Sequence, residues 1–407
     1  MRTRLHCDRL PGMRRRTFLF GAAGAPAMWA SDERVEITAV KAARAPLRPA
    51  SAFGTKKFTS DTDPARWRWF GPFSQLTGEI LVKIETDVGI TGYGLGGGGG
   101  AAVYIIEHHL RDLLAGANAL NVELLWEQMY ASTSFYGRRG VVIMAMSGID
   151  LALWDIAGKH AGKPVYELLG GAVKKKIPAY YTGNDLKKGM KLGFHAFKVS
   201  IAAGLAEGRE GMKRNLARLA AVRQAIGDDA RLMIDCLARW NVDYTLEFAE
   251  RAADLKLDWI EEPLYPDDLD GYRRLCREVR GTRIACGEHE YTRYGFRELI
   301  RNQATHILQP DLTWSGGLTE GRRIAAMGAA HGLPVIPHRG GSPYGLALIA
   351  ASNNCPLAES FGTGESDERL WRPFTARFEN GYYYLSARPG FGVELRPEIL
   401  AKYFPGL

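Results

Sequence analysis

The sequence predicts an α/β protein in which a (β/α) barrel follows a smaller α+β lobe. From about residue 176, eight short apolar segments alternate with amphipathic helical patterns over about 200 residues, as in a (β/α) barrel. Six of these segments in succession carry an acid or a histidine as their last or next-to-last residue, which a doubly wound open sheet would not explain. Before residue 176, strand patterns precede helical patterns, and this order predicts a separate α+β lobe.

The α+β lobe opens with two segments of strand pattern. They are "RVEITAVKAARAPL" (34–47) and "GEILVKIETDVGITGYG" (78–94), and Asp87-Val88-Gly89 breaks the second with a turn. The run "GLGGGGG" (94–100) lacks both the lysine of a phosphate loop and the fingerprint of a dinucleotide site. We therefore interpret this run as a flexible loop.

Two helical patterns complete the lobe, at 101–116 and 141–162. Gly162-Lys163-Pro164 predicts the end of the second helix. One apolar face of that helix is marked by Met146, Ile149, Leu153 and Ile156.

The barrel pattern follows as strands with helices between them. Helical patterns include "NLARLAAVRQAIG", "TLEFAERAADL" and "TEGRRIAAMGAAHG". The predicted strands are "KIPAYYT", "AFKVSI", "RLMID", "LDWIE", "TRIACGE", "THILQPD", "LPVIPH" and "PLAES".

The net charge of +8 is concentrated at the N terminus. Residues 1–30 contribute +5, so the rest of the chain carries +3 and gives no reason to expect nucleic-acid binding. Arg14-Arg15-Arg16 precede an apolar run and the cleavage-like Ala25-Pro26-Ala27. This order predicts a twin-arginine signal, which exports folded proteins to the bacterial periplasm. The alternative is a basic tail on a cytoplasmic protein, with Met13 as the start.

The polar residues at the strand ends recur once per strand–helix unit, and the carboxyl ends of barrel strands converge on one mouth. Three acids from successive strands would form an oxygen-rich site there, and burying them is costly without a counter-charge. A few carboxylates with room for water or substrate suit Mg²⁺ better than Zn²⁺. We therefore predict an Mg²⁺ site on the first three of these residues. In chain order the six are Asp235, Glu261, Glu288, Asp311, His338 and Glu359.

Glu261 is followed directly by Glu262. Neighbouring side chains of a strand point to opposite faces, so we expect Glu261 at the cation and Glu262 in the barrel wall beside a basic group. Asp311 ends the strand before His338, where it could hold one imidazole nitrogen while the other takes a proton. The structural alternative for His338 is a core histidine with satisfied hydrogen bonds, and for each acid a helix cap or ion-pair partner.

From about residue 36 to the end, the chain resembles the enolase superfamily in its mandelate-racemase-like branch. The four motifs from "WIEEP" onward look most like those of the L-rhamnonate dehydratase type of acid-sugar dehydratase. The motifs are "SGIDLALWDIAGKHAGKPVYELLGG" (147–171), "MID", "WIEEP", "CGEHEYTRYGF", "HILQPDLTWSGGLTE" and "VIPHRGGSPYG".

The resemblance implies a modified TIM (β/α) barrel with an N-terminal α+β capping domain. It also implies Mg²⁺ as the cofactor, bound by the substrate carboxylate and by the same three acids. His338 would be the base, held by Asp311, and Glu359 would hydrogen-bond the carboxylate. The expected segments are a signal at 1–30, the capping domain at 31–165, the barrel at 166–385, and a C-terminal segment at 386–407 that packs back on the capping domain.

Further residues are expected to contact substrate on the strength of the resemblance. Lys198 lies on the second strand, and His289 follows the third expected metal ligand, although His289 could equally be a packed wall residue. Arg66 and Arg68 are the best candidates in the capping domain for binding the polyol end.

Two departures from the family bear on function. Racemases and cycloisomerases of the branch carry a Lys-x-Lys pair on the second strand, whereas Ser200 stands where the second lysine would be. This favours chemistry with one base, His338. Residues 31–107 contain no histidine, although rhamnonate dehydratases use one there, so the identity of the sugar acid stays open.

The sequence thus predicts an Mg²⁺-dependent acid-sugar dehydratase that forms a 2-keto-3-deoxy acid by α-proton abstraction and syn β-elimination. The alternatives are a racemase, epimerase or cycloisomerase of the same superfamily, or a non-catalytic exported protein that binds sugar acids. The expected partners are a small sugar acid and other copies of the chain. Neither nucleic acid nor a membrane span is expected.

Overall fold

Two β-sheets organise the part of the chain that the computed structural model describes, residues 34–44, 78–362, 376–393, 395–404 and 406–407. The expected signal segment and the two expected polyol-binding residues, Arg66 and Arg68, lie outside these ranges.

The first sheet belongs to an α+β unit that we call the N-terminal lobe. Its three strands are antiparallel in the order β1–β2–β3, and they lie in the two segments whose pattern predicts strands. The elements of the lobe are β1 (Ile37–Arg44), β2 (Ile80–Thr86), β3 (Thr91–Gly96), α1 (Gly99–Ile105), a π-helical turn (Ile106–Leu110), α2 (Arg111–Leu114), α3 (Val122–Thr133) and α4 (Val141–His160).

Glycines let helix α4 lie directly against strand β3. A Cβ atom at Gly92 would stand 2.2 Å from the carbonyl oxygen of Ala152, and one at Gly94 would stand 2.0 Å from that of Gly148. The prediction of a flexible loop at 94–100 is wrong, because these glycines end β3 and begin α1 with most of their surface buried. Backbone packed this closely leaves no room for side chains.

Helix α4 is buried on almost all sides. Its predicted apolar face, which includes Met146 and Ile149, packs with the strands of the N-terminal lobe. Leu151, on another side, belongs to the core of the barrel. By length and composition α4 could cross a membrane, but 83% of its apolar stretch is buried inside the protein. The apolar composition of α4 therefore reflects its position between the core of the N-terminal lobe and the core of the barrel.

The second sheet is the barrel. Its parallel strands run in the order β4 to β9, and β10 returns to pair with β4. The elements are α5 (Val165–Leu168), β4 (Lys176–Thr182), α6 (Leu186–Lys191), β5 (Ala196–Ser200), a 3₁₀ turn (Leu205–Glu207), α7 (Gly208–Ile226), β6 (Arg231–Asp235), α8 (Val242–Arg251), a 3₁₀ turn (Ala253–Leu255), β7 (Leu257–Glu261), α9 (Leu269–Glu278), β8 (Arg283–Cys286), α10 (Thr292–Arg301), β9 (Ile307–Leu308), α11 (Gly317–Ala330), α12 (Pro343–Ala351) and β10 (Ala358–Ser360).

A ring of inward-facing side chains shows that all eight strand positions surround one core, as in a TIM barrel. The predicted strand "LPVIPH" contributes to this ring but forms only two isolated bridges, Leu308 to Val335 and Asp311 to His338. Pro334 and Pro337 have no N–H to donate to a ladder, which accounts for the gap. The ring consists of Tyr180, Ala196, Met233, Trp259, Ala285, Ile307, Ile336 and Leu357.

The C-terminal residues return to the first half of the chain. The hairpin of β11 (Phe378–Glu379) and β12 (Tyr382–Tyr384) pairs with β4, and α13 (Pro397–Tyr403) follows. The Phe391 N–H donates to the buried Asp155 of α4 at 2.9 Å. Asp155 also accepts from the Tyr93 N–H at 3.1 Å, so one carboxylate ties helix, sheet and C-terminal segment together.

Candidate active site

The strand ends bring the predicted acids together at the carboxyl mouth of the barrel. Asp235 and Glu261 are register partners on adjacent strands β6 and β7, and Glu288 follows β8. Burial, and then the charge of Glu261, raise the pKa of Asp235 well above its usual range. The site therefore has an excess of negative charge.

Lys198 of β5 supplies one positive charge to this cluster. Its ammonium group pairs with Glu261 and also with Glu359, the latter at 2.8 Å, and Lys198 is only 1% exposed. Burial alone would lower the pKa of Lys198, but the two carboxylates raise it well above its usual range. Lys198 is thus held as a cation beside the predicted metal ligands, and it cannot readily act as a base.

Glu261 has further partners inside the barrel. Its Oε2 atom accepts from Trp259 Nε1 at 2.9 Å and from Gln309 Nε2 at 2.7 Å. Gln309 was not among the predicted site residues, although it lies two positions before Asp311.

Glu262 points away from Glu261 and pairs with His289. Its Oε2 atom is 2.6 Å from His289 Nδ1, so the basic neighbour expected for Glu262 is this imidazole. Burial opposes ionisation of both groups, but their mutual attraction lowers the pKa of Glu262 and raises that of His289 to about 10. Glu262 has φ of 38°, a left-handed conformation that turns the chain sharply after β7.

His338 and Asp311 meet as the sequence predicts. Nδ1 of His338 donates to Asp311 Oδ2 at 2.7 Å, which leaves Nε2 to face the carboxylates of Glu288 and Glu359, each at 3.8 Å. The backbone and hydroxyl of Thr313 donate to the other Asp311 oxygen, so the aspartate itself is fixed. This arrangement fits an imidazole that moves a proton at Nε2.

Glu359 of β10 accepts hydrogen bonds from several sides. Besides Lys198, it accepts from the Thr182 hydroxyl at 2.6 Å and from the Arg339 N–H at 2.8 Å. Burial would raise its pKa, but Lys198 and then His338 lower it to about 2. Glu359 therefore stays ionised and serves as a hydrogen-bond acceptor.

Among the described residues, one group of three ligand atoms lies within 4.8 Å of one another, and it is Glu262, Glu288 and His289, not the predicted trio. The Nδ1 atom of His289 is already hydrogen-bonded to Glu262 Oε2 at 2.6 Å, so these two groups are engaged with each other. We therefore regard the Glu262–His289 pair as an ion pair beside the site.

The predicted trio fits a hard cation by its chemistry. Asp235, Glu261 and Glu288 offer only oxygen atoms, as Mg²⁺ prefers. The charges of Glu288 and Glu359 overcome burial and raise the pKa of His338 to about 9. A divalent cation at the trio would offset these charges and return His338 toward the neutral form that a base requires.

Two residues that the sequence analysis missed complete the walls. The indole of Trp314 lies between His289 and His338, with ring centroids 5.7 and 5.5 Å away. Arg339, which follows His338, pairs with Glu79 of the N-terminal lobe at 3.0 Å. In the sequence, the position of Arg339 directly after His338 in "PHRGG" was the feature that could have identified it as a site residue.

Comparison with known families covers both lobes. Residues 74–170 match the family model "Mandelate racemase / muconate lactonizing enzyme, N-terminal domain". Residues 184–399 match the model "Enolase C-terminal domain-like", which spans more than half of the chain.

Individual relatives agree with these matches. A protein named "Putative L-rhamnonate dehydratase" from Caldivirga maquilingensis is 39% identical over 335 residues, which cover 81% of this chain and 84% of the relative. The crystal structure of rhamnonate dehydratase from Gibberella zeae complexed with Mg superposes with a TM-score of 0.81 and 34% identity, and covers 92% of this chain and 97% of that one. A racemase from Streptomyces coelicolor with bound magnesium has a TM-score of 0.74 and 29% identity, with coverage of 91% and 99%. By its two domains, its fold and its relatives, the chain belongs to the enolase superfamily, in the mandelate racemase and muconate lactonizing enzyme branch.

Proposed function

We propose that this protein is an Mg²⁺-dependent acid-sugar dehydratase that converts an aldonate into a 2-keto-3-deoxy acid. The observation that carries the proposal is the orientation of His338. Its Nδ1 is tied to Asp311 at 2.7 Å, and its Nε2 faces the carboxylate cluster. The names of the Caldivirga and Gibberella relatives favour the same reaction class.

Asp235, Glu261 and Glu288 would hold the Mg²⁺ ion, which when bound supplies a Lewis acid for the substrate carboxylate. Lys198 and Glu359 would orient that carboxylate from the side. Trp259 and Gln309 fix one oxygen of Glu261 by hydrogen bonds, so its orientation does not depend on the substrate.

His338 would perform both proton transfers. Its Nε2 removes the proton from the α-carbon, and the electron pair of the broken C–H bond forms the C=C bond as the β C–O bond breaks. The departing hydroxyl takes the proton from the same Nε2 and leaves as water, which makes the elimination syn. The resulting enol tautomerises to the 2-keto-3-deoxy acid.

The structure supports a single base rather than the two bases of a racemase. Strand β5 ends in Ser200, and Lys198, the only lysine of that strand, is engaged with two buried carboxylates. Racemisation needs a second group that returns the proton to the opposite face of the α-carbon. Strand β5 offers no free base for this step.

The proposal is tested by incubating the purified protein with Mg²⁺ and a library of aldonic and uronic acids. We expect at least one acid to lose one water, seen by mass spectrometry, and to give a 2-keto acid that forms a semicarbazone. The same protein after chelation, without added Mg²⁺, is the control. Epimerised or cyclised product without loss of water would contradict the proposal.

A further inference from the structure

Arg339 joins the N-terminal lobe to the residues around His338. Its Nη1 atom donates to Oε1 of Glu79, the residue just before β2, at 3.0 Å. Its backbone N–H donates to Glu359 Oε2 at 2.8 Å, and its Nε atom lies 3.7 Å from Asp311 Oδ2. One residue thus connects the lobe with two of the carboxylates around the imidazole.

The Oδ2 atom of Asp311 has two possible donors beside it. It accepts from His338 Nδ1 at 2.7 Å, whereas Arg339 Nε, at 3.7 Å, is beyond hydrogen-bond distance. Thr313 occupies the other carboxylate oxygen with two donors. Burial would raise the pKa of Asp311, but the hydrogen bond from His338 and then the charges of His338 and Arg339 lower it. Asp311 is therefore ionised, and its Oδ2 atom is a strong acceptor for either donor.

Glu79 and the indole of Trp314 hold the guanidinium of Arg339 away from this oxygen. The guanidinium carbon lies 5.2 Å from the centroid of the Trp314 ring, and the Glu79 carboxylate binds the end of the group that carries Nη1. A movement of about 1 Å would bring Arg339 Nε within hydrogen-bond distance of Oδ2. A hydrogen bond between two charged groups is about twice as strong as a neutral one, so the guanidinium would then compete with His338.

We propose that Glu79 restrains Arg339 so that Asp311 Oδ2 stays with His338, and that contact between the two lobes thereby sets the orientation of the imidazole. Glu79 and Arg339 are positioning residues in this arrangement, because they act on His338 through Asp311. The inference rests on the proposed function for the role of His338 as the base. It means that the barrel orients this base fully only when the N-terminal lobe is in contact with Arg339.

The kinetic test compares Glu79→Gln, Arg339→Met and the double variant on an accepted sugar acid. Glu79→Gln removes the restraint and should lower kcat about 10- to 100-fold at nearly constant KM, because a misdirected imidazole loses part of the effect of general base catalysis. The double variant should be more active than Glu79→Gln, since no guanidinium then competes for Oδ2. A double variant no more active than Glu79→Gln would indicate a structural ion pair and overturn the inference. A rise in KM at unchanged kcat in Glu79→Gln would also overturn it.

Glu127→Gln is the matched control. It removes the ion pair of Glu127 with Arg293, which also joins the N-terminal lobe to the barrel, at 3.0 Å. This variant should keep the kcat of the wild type. An equal loss of kcat in Glu127→Gln and Glu79→Gln would show that any weaker contact between the lobes lowers activity, and it would overturn the specific role of Glu79.

A second readout separates this inference from the proposed function. In substrate-free protein labelled with ¹⁵N-histidine, the proton on His338 Nδ1 is assigned by its loss in His338→Asn. A proton in a hydrogen bond to a carboxylate resonates far downfield, so Glu79→Gln should move this resonance upfield or broaden it. The double variant with Arg339→Met should restore it.

The two readouts together distinguish the possible failures. Turnover by the wild type with an unchanged His338 resonance in Glu79→Gln would overturn the inference and leave the function intact. If the wild type turns over no acid, the proposed function fails, and the resonance alone decides. A shift in Glu79→Gln that the double variant reverses then supports the positioning role, and no shift, or a shift that is not reversed, excludes it.

Discussion

Glu261 and Glu262 are neighbours in sequence with opposite environments. Glu261 contacts Lys198, Trp259 and Gln309 inside the barrel mouth, whereas Glu262 pairs with His289. Strand alternation separates the two side chains. Strand β7 ends at Glu261, and the left-handed backbone of Glu262 then turns the chain. We therefore propose that Glu261 binds the cation and that Glu262 holds a wall residue.

Replacement of each glutamate by glutamine distinguishes these roles. We expect Glu261→Gln to weaken Mg²⁺ binding by at least about 10-fold and to abolish turnover, because a ligand charge is lost. Glu262→Gln should bind Mg²⁺ within a few-fold of the wild type, measured by isothermal titration calorimetry. The reverse result would place the cation at Glu262, Glu288 and His289.

His338 should be indispensable because one imidazole serves both proton transfers. We expect His338→Asn to bind Mg²⁺ and substrate but to lose at least about 10²- to 10⁴-fold in activity. It should also fail to exchange the α-proton with D₂O, as followed by NMR. His331→Asn, at an exposed position on the barrel surface, is the matched control. Retained α-exchange in His338→Asn would indicate that another residue is the base.

At the scale of elements, the contact between β3 and α4 depends on glycine. A Cβ atom at Gly94 would overlap the backbone of Gly148, which cannot move without shifting the helix. We expect Gly94→Ala to lower the free energy of unfolding by about 1–3 kcal/mol or more. Urea denaturation measures this change.

Gly100→Ala is the matched control for that substitution. Gly100 lies in α1 with nothing within 4 Å of an added Cβ, so alanine should stabilise the helix by about 0.5–1 kcal/mol. If Gly94→Ala and Gly100→Ala changed the free energy of unfolding equally, close packing against α4 would not be the cause of the effect at Gly94.

The elements also show how far the sequence could predict the site. The strand ends that carry Asp235, Glu261 and His338 follow from period and spacing, since each lies at a fixed point of a strand–helix unit. Trp314 and Arg339 lie on loops after the strands, and Arg339 has φ of 56°. Loop conformations of this kind depend on contacts with the other lobe, which periodicity does not encode. The glycine run was misread because its contacts lie on a distant helix.

At the scale of the whole molecule, polar contacts join the N-terminal lobe to the barrel around the site. The lobe contributes helices α3 and α4 and the residue just before β2, and the barrel contributes helices α10 and α11, Gly316 just before α11, and Arg339 after the seventh strand position. The paired residues are Glu79 with Arg339, Trp126 with Gly316, Glu127 with Arg293, and Asp150 with Thr319.

Asp150 makes this junction sensitive to pH. Burial raises the pKa of Asp150 from 3.8 to about 7, so the folded state favours the protonated form. Stability from this group is complete below about pH 4 and is lost as the pH rises through 7. Relative to Asp150→Asn, the wild type should lose about 3 kcal/mol of unfolding free energy between pH 5 and 8.

Urea denaturation at the two pH values measures that difference. Asp112→Asn, at an exposed position, should follow the pH profile of the wild type. Parallel pH profiles of the unfolding free energy for the wild type and Asp150→Asn would contradict a raised pKa of Asp150.

The N-terminal segment gives a prediction for the whole chain. We propose that Arg14 and Arg15 direct export by the twin-arginine route, with cleavage after about Ala27. Mass spectrometry of the protein from its native host should find a chain that begins between 28 and 31 in the periplasmic fraction. Arg14→Lys with Arg15→Lys should keep the uncleaved chain in the cytoplasm. A full-length wild-type chain in the cytoplasm would contradict export.

The buried helix α4 bears on the choice of such a route. A chain threaded through a membrane channel in the unfolded state would present Val141–His160 as a stop-transfer segment, since its length and apolarity are those of a membrane span. Translocation after folding keeps this segment between the two cores. A version of the protein given a signal for an unfolded-chain channel should therefore lodge in the membrane near residue 150, with its N-terminal part outside and its catalytic barrel still in the cytoplasm.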